Sequence, residues 1–87
     1  MDQSTPHSFV PESGFVPDAE TAVAVATAVA ARIYGKDMID RQRPYGASLE
    51  GDTWTVVGSM PAGSLGGAFE VQLSRSTGKI LHVTHAR

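Results

Sequence analysis

The chain has 87 residues, 41% of them hydrophobic, with no cysteine and a net charge of −2 from seven basic and nine acidic side chains. A chain of this length forms one domain with a thin core, burying only about 60% of its unfolded surface, and without cysteine neither a disulfide nor thiolate chemistry supports it. The charge argues against the basic stripe that nucleic-acid or anionic-membrane binding needs, so neither is expected as a partner.

Residues 1–14 are polar and broken by Pro6, Pro11 and Gly14, which reads as a flexible arm ahead of a single domain over 15–87. The start Met1-Asp2-Gln3-Ser4-Thr5-Pro6-His7 has neither the basic nor the apolar segment of a secretory signal, and a cytoplasmic location is expected. The apolar run Ala22 to Ala31 is too short to span a bilayer. Phe9-Val10-Pro11-Glu12 and Phe15-Val16-Pro17-Asp18 echo each other, and each Phe-Val pair is expected to pin the arm to the domain.

Helix signals follow. Asp18 is a good N-cap with Val16 as a staple before it, and Glu20 suits the first turn. Arg32 suits the last turn, and Gly35 stands where a left-handed C′ residue belongs. Ala22, Val25, Ala26, Val29 and Ile33 share a stripe of helical spacing, the expected core face. Truncating Val29 or Ile33 to Ala is expected to cost roughly 2–4 kcal/mol. Lys36 to Arg43 is a polar connector with room for one more helical turn, ended by Pro44.

From Tyr45 the period becomes two. Tyr45 to Glu50, Thr53 to Met60, Ala68 to Arg75 and Lys79 to His85 read as strands. Gly51-Asp52 and Ser76-Thr77-Gly78 are tight turns and Pro61 to Gly67 a loop, so neighbouring strands run antiparallel. Tyr45, Ala47 and Leu49, then Trp54, Val56, Gly58 and Met60, then Phe69, Val71 and Leu73, and finally Leu81 and Val83 in preference to Ile80, are expected on the core face. Thr53, Thr55, Val57, Ser59, Glu70, Gln72 and Ser74 then face outward, with His82 exposed on the sheet. The expected fold is α+β: one long N-terminal helix packed on a four-stranded antiparallel meander.

Catalytic patterns are weak. His82 and His85, three apart on a strand, point to opposite faces and cannot clamp one ion. Gly63-Ser64-Leu65-Gly66 resembles a nucleophile elbow only loosely, because no helix follows Ser64. Gly63 to Gly67 lacks the Gly-Lys-Ser/Thr of a phosphate loop, and reads as a structural hairpin tip or a contact loop. Glu50 and Glu70 lie on one outer face, more simply as solvated side chains than as an acid pair. Arg41, Arg43 and Tyr45 cluster before the first strand, either as interface anchors or with the arginines paired to Asp37 or Asp40. No metal or cofactor is expected.

Gly14-Phe15-Val16-Pro17-Asp18-Ala19-Glu20-Thr21-Ala22, Tyr34-Gly35, Arg43-Pro44-Tyr45, Trp54-Thr55-Val56-Val57-Gly58, Gly66-Gly67, Gly78-Lys79-Ile80 and the ending near His85 form an ordered set over residues 14–87. This set resembles the bacterial immunity proteins of polymorphic toxin systems that have a nuclear transport factor 2-like, or cystatin-like, fold. The resemblance implies a non-enzymatic protein that neutralises a cognate toxin by direct binding. A cystatin-like inhibitor of a peptidase or cell-wall hydrolase, and a small ligand-binding or enzymatic domain with a cavity lined by Tyr45, Trp54 and His85, are the alternatives. Contacts to the toxin are expected from Arg41, Arg43, Tyr45, Thr53, Thr55, Glu70, Gln72 and His82, and from the loop Gly63, Ser64, Leu65, Gly66 and Gly67. A homodimer through the open sheet face is a further expectation.

Overall fold

The structure is a computed structural model and describes residues 11–60 and 67–85. Helix α1 spans Ala19–Tyr34 and a short helix α2 spans Lys36–Asp40. Four strands follow: β1 Gly46–Glu50, β2 Thr53–Val57, β3 Phe69–Ser74 and β4 Ile80–His85. They form one antiparallel sheet in chain order, β1-β2-β3-β4, with α1 packed over β1, β2 and β3. The fold is therefore the α+β meander expected.

The ends of α1 are set chemically. The Asp18 carboxylate accepts the Thr21 backbone N–H at 2.8 Å, which satisfies one of the free donors of the first turn and holds the Asp18 carboxyl below its ordinary range. Gly35, at φ +97°, leaves the helix and donates its N–H to the Ala31 carbonyl. Lys36–Asp40 forms the extra turn, and Ile39 from that turn is 2% exposed in the core.

The core stripe of α1 is Ala22, Ala26 and Ala30, each fully buried beneath the sheet residues Trp54, Val56, Phe69, Val71 and Leu73. Alanine lets the helix backbone approach the sheet closely. The stripe differs from the expected one at its end: Ile33 is 57% exposed, because the last turn of α1 reaches beyond the packed centre, and Val29 is half-buried. Ala30 takes the place expected of Ile33.

The preceding segment is fixed on both sides. Val16 is buried and its carbonyl accepts the Trp54 indole N–H at 2.8 Å. Its own N–H reaches the Arg75 carbonyl, the Phe15 N–H reaches Ser76, and Arg75 Nη1 donates to the Ser13 carbonyl. Gly14, at φ +93°, is buried against Arg75, where a Cβ would overlap the Arg75 carbonyl oxygen. Val16 therefore pins this stretch, whereas Phe15 is 49% exposed. Phe9 and Val10 lie outside the described residues.

Three strand details depart from the period-two pattern. β2 ends at Val57 rather than Met60, because Gln42 intervenes. The Gln42 side-chain oxygen accepts the Phe69 N–H at 2.9 Å, its carbonyl accepts the Ser59 N–H at 2.7 Å, and Ser59 Oγ donates to Pro44 at 2.6 Å. Met60 is accordingly exposed, not in the core.

In β4 the register shifts: Gln72 pairs with His82 but Leu73 pairs with Ile80, which makes Leu81 the extra residue of a bulge. Ile80 and Val83 both pack on the core while Leu81 is 49% exposed, reversing the expected choice between Ile80 and Leu81.

Ser74, expected outward, is buried. Its hydroxyl donates to the Asp52 carboxylate at 2.8 Å, within a cluster that ties the β1–β2 turn to the β3–β4 turn. Leu49 keeps its core-side position but is 45% exposed at the sheet edge.

Candidate functional site

Strand register decides which expected contact residues meet. Ser48, Thr55, Gln72 and His82 form one cross-strand row, because Ser48 pairs with Thr55, Thr55 with Gln72 and Gln72 with His82. A second row runs Gly46, Val57, Glu70, Thr84, and a third links Glu50, Thr53 and Ser74. All three rows lie on the face opposite Trp54, Val56, Phe69, Val71 and Leu73, since alternate strand residues point to opposite sides. Among the described residues both helices lie on the other face, and none of them covers this one. Thr53, Thr55, Glu70, Gln72 and His82 thus share one surface.

The chemistry of this face is polar, small and slightly acidic. Gln72 Nε2 donates to Thr55 Oγ1 at 3.4 Å. Four strands contribute no lysine or arginine, whereas Glu50 and Glu70 both lie on the face. The two glutamates do not form an acid pair. Glu50 sits beside the β1–β2 turn and Glu70 at the other end of β3, with β2 between them. Ser48 was not among the expected contacts. Its place in the central row follows from the two-residue turn that sets the register, and that turn was visible as Gly51-Asp52.

His82 and His85 point to opposite faces, as their odd spacing requires: His82 stands opposite Gln72 and His85 opposite Phe69. The His85 ring is half-buried and lies 5.0 Å from that of Tyr34.

Arg41, Arg43 and Tyr45 form a separate patch on the helix side. The Arg43 guanidinium sits 5.3 Å from the Tyr45 ring centroid and 3.4 Å from Asp40 Oδ1. Asp40 also accepts from Lys36 at 2.7 Å. That hydrogen bond lowers the Asp40 carboxyl below its ordinary range and raises the Lys36 ammonium. Pairing with Asp40, one of the two readings of this cluster, therefore holds for Arg43, while Arg41 caps α2 and is exposed. A shallow groove of about 260 Å³ lies between the two helices, floored by Ala24, Ala28, Ala31 and Tyr45. Gly67 is half-buried ahead of β3, and Gly63, Ser64, Leu65 and Gly66 lie outside the described residues.

Of the three side chains expected to line a cavity, Tyr45 and Trp54 bond within the fold. Trp54 is 7% exposed with its indole N–H bonded to Val16. The Tyr45 hydroxyl donates to the Ile39 carbonyl at 2.8 Å, and its ring meets Phe69 edge-on at 5.7 Å. Both aromatic side chains spend their polar ends inside the fold.

Among the described residues, a close-packed helix lies on one face of a four-stranded meander and leaves the polar face uncovered, which defines a small α+β domain. The chain belongs to the NTF2 fold immunity protein family, whose model it matches over residues 21–87. No curated protein and no solved structure matches it. Family membership implies a non-enzymatic role. Among the described residues no helix is long and apolar enough to cross a membrane.

Proposed function

We propose that this protein neutralises a cognate bacterial toxin by binding it directly, with the open sheet face as the principal contact. The observation that carries this reading is the family match across residues 21–87. The placement of the contact face draws on geometry: Ser48, Thr55, Gln72 and His82 stand in one row on a rigid sheet that needs no rearrangement to be met. With Glu50 and Glu70 as its carboxylates and no cation in the strands, the face suits a neutral or basic surface on the toxin. Loop 63–67 and the Arg41–Arg43–Tyr45 patch are secondary contacts in this proposal.

Co-expression with the toxin encoded beside the gene is the direct test. Protection of the cells is expected, and its loss in a Thr55→Arg/Gln72→Arg variant that still folds would locate the contact. If that variant protects as well as the parent, the toxin meets another surface. If the parent gives no protection, the reading fails.

A further inference from the structure

The two edges of the sheet are unlike. β4 carries the bulge at Leu81, a device that turns an edge away from further pairing. β1 has no bulge, proline or lysine: its pairing with β2 is regular from Gly46 to Glu50, and the only charge in Gly-Ala-Ser-Leu-Glu is Glu50 at its end. No described strand lies beside it.

The hairpin also dictates which backbone groups of β1 are free. Gly51 and Asp52 make a two-residue turn with Gly51 at φ +61°, so the flanking pair Glu50–Thr53 is a hydrogen-bonded one. Bonded pairs alternate, which assigns Gly46, Ser48 and Glu50 to β2 and leaves the N–H and C=O groups of Ala47 and Leu49 directed out of the sheet.

We infer that β1 is a self-pairing edge, joining a second copy of this chain antiparallel about a two-fold axis at Ser48 into one continuous eight-stranded sheet. In that register Ala47 stands opposite the partner's Leu49, and Leu49 opposite the partner's Ala47, so the outward-directed backbone groups meet each other. Side chains agree with the same register. On the helix side the large, 45% exposed Leu49 faces a small alanine, twice over. On the outer side Glu50 faces the partner's glycine 46, so that no two carboxylates oppose each other. Such an interface is isologous and closes at two copies. It leaves the polar outer rows uncovered and sets them side by side, and it does not depend on the toxin-binding proposal.

Sedimentation equilibrium of the full chain and three variants tests it. Gly46 is suited to substitution, since a Cβ there makes only ordinary contact with Val57 at 3.5 Å. Gly46→Glu places a carboxylate opposite the partner's Glu50 on both sides and is expected to weaken the dimer roughly tenfold. Gly46→Lys places a cation there and is expected to tighten it, a gain that added salt removes. Leu49→Lys is expected to give a monomer. Because Gly46→Lys and Gly46→Glu are alike in bulk, opposite effects exclude a folding defect as the cause. A parent chain that remains monomeric at millimolar concentration overturns the inference. So does a dimer that loosens equally with lysine and glutamate at position 46, or one indifferent to all three changes.

Discussion

Gln42 is the residue on which the junction of connector and sheet turns. Its carboxamide oxygen takes the buried Phe69 N–H, and its backbone carbonyl takes that of Ser59. Gly58 lies against it so closely that a Cβ would overlap the Gln42 side chain and the Phe69 ring. Gln42→Ala strands a buried donor and is expected to cost about 1–3 kcal/mol in chemical denaturation. Gly58→Ala overpacks the same point and is expected to cost about 1–3 kcal/mol. The double variant should cost less than the sum, because the shortened side chain removes the overlap with the Gln42 amide oxygen, although those with its Cβ and the Phe69 ring remain.

Asp52 supplies a second prediction at this scale. Its carboxylate accepts from Ser76 and Ser74 and lies 3.6 Å from Arg75 Nε, and the Ser76 and Ser74 bonds above all hold its carboxyl below the ordinary value of 3.8. A carboxyl lowered in the folded state stabilises the fold above its unfolded value and stops doing so as pH falls through the folded one. The parent should therefore lose stability below about pH 4 more steeply than Asp52→Asn, as read from denaturation midpoints taken down the pH scale. Equal slopes would remove this role for Asp52.

For the elements, the decisive quantity is the distance between α1 and the sheet. Ala22, Ala26 and Ala30 are fully buried, so the helix has no room for larger side chains on this line. Ala26→Leu is expected to destabilise by about 1–3 kcal/mol or more. Ile33→Ala, at a site 57% exposed, should change stability by no more than about 0.5 kcal/mol. Thermal denaturation distinguishes the two, and a large loss at Ile33 would mean that the last turn of α1 is covered.

Much of this level was legible in the sequence. Asp18, Gly35 and Gly51 mark their boundaries through chemistry local to a few residues, and the alternation Phe69, Val71, Leu73 assigns β3 its faces. What was not legible depends on long-range placement. Helical spacing puts Ile33 on the stripe but says nothing of where the sheet stops beneath it. A period of two cannot reveal the bulge at Leu81, which arises only when β4 is paired against β3. Gln42 looked like a connector residue because its partner, Phe69, is 27 positions away.

At the scale of the whole molecule, the tight helix–sheet contact and the internally bonded Trp54 and Tyr45 move the available chemistry to the outside. The strand periods placed Thr53, Thr55, Glu70, Gln72 and His82 on one side, and the register aligned three of them in a row with Ser48. The same register separates them from Arg41, Arg43 and Tyr45, which sequence proximity to β1 alone could not do. The sheet face and the helix-side patch can therefore be mutated independently. Charge reversal at Arg41 and Arg43 is expected to leave toxin protection largely intact, whereas Thr55→Arg/Gln72→Arg abolishes it. The reverse pattern in a survival assay would move the contact to the helix side.

The most direct measurement is survival of cells expressing a candidate cognate toxin, with and without this protein. Direct neutralisation predicts that the parent restores growth and co-purifies with the toxin as a stable complex. Unrestored growth, with the protein present, folded and unassociated with the toxin, would contradict it.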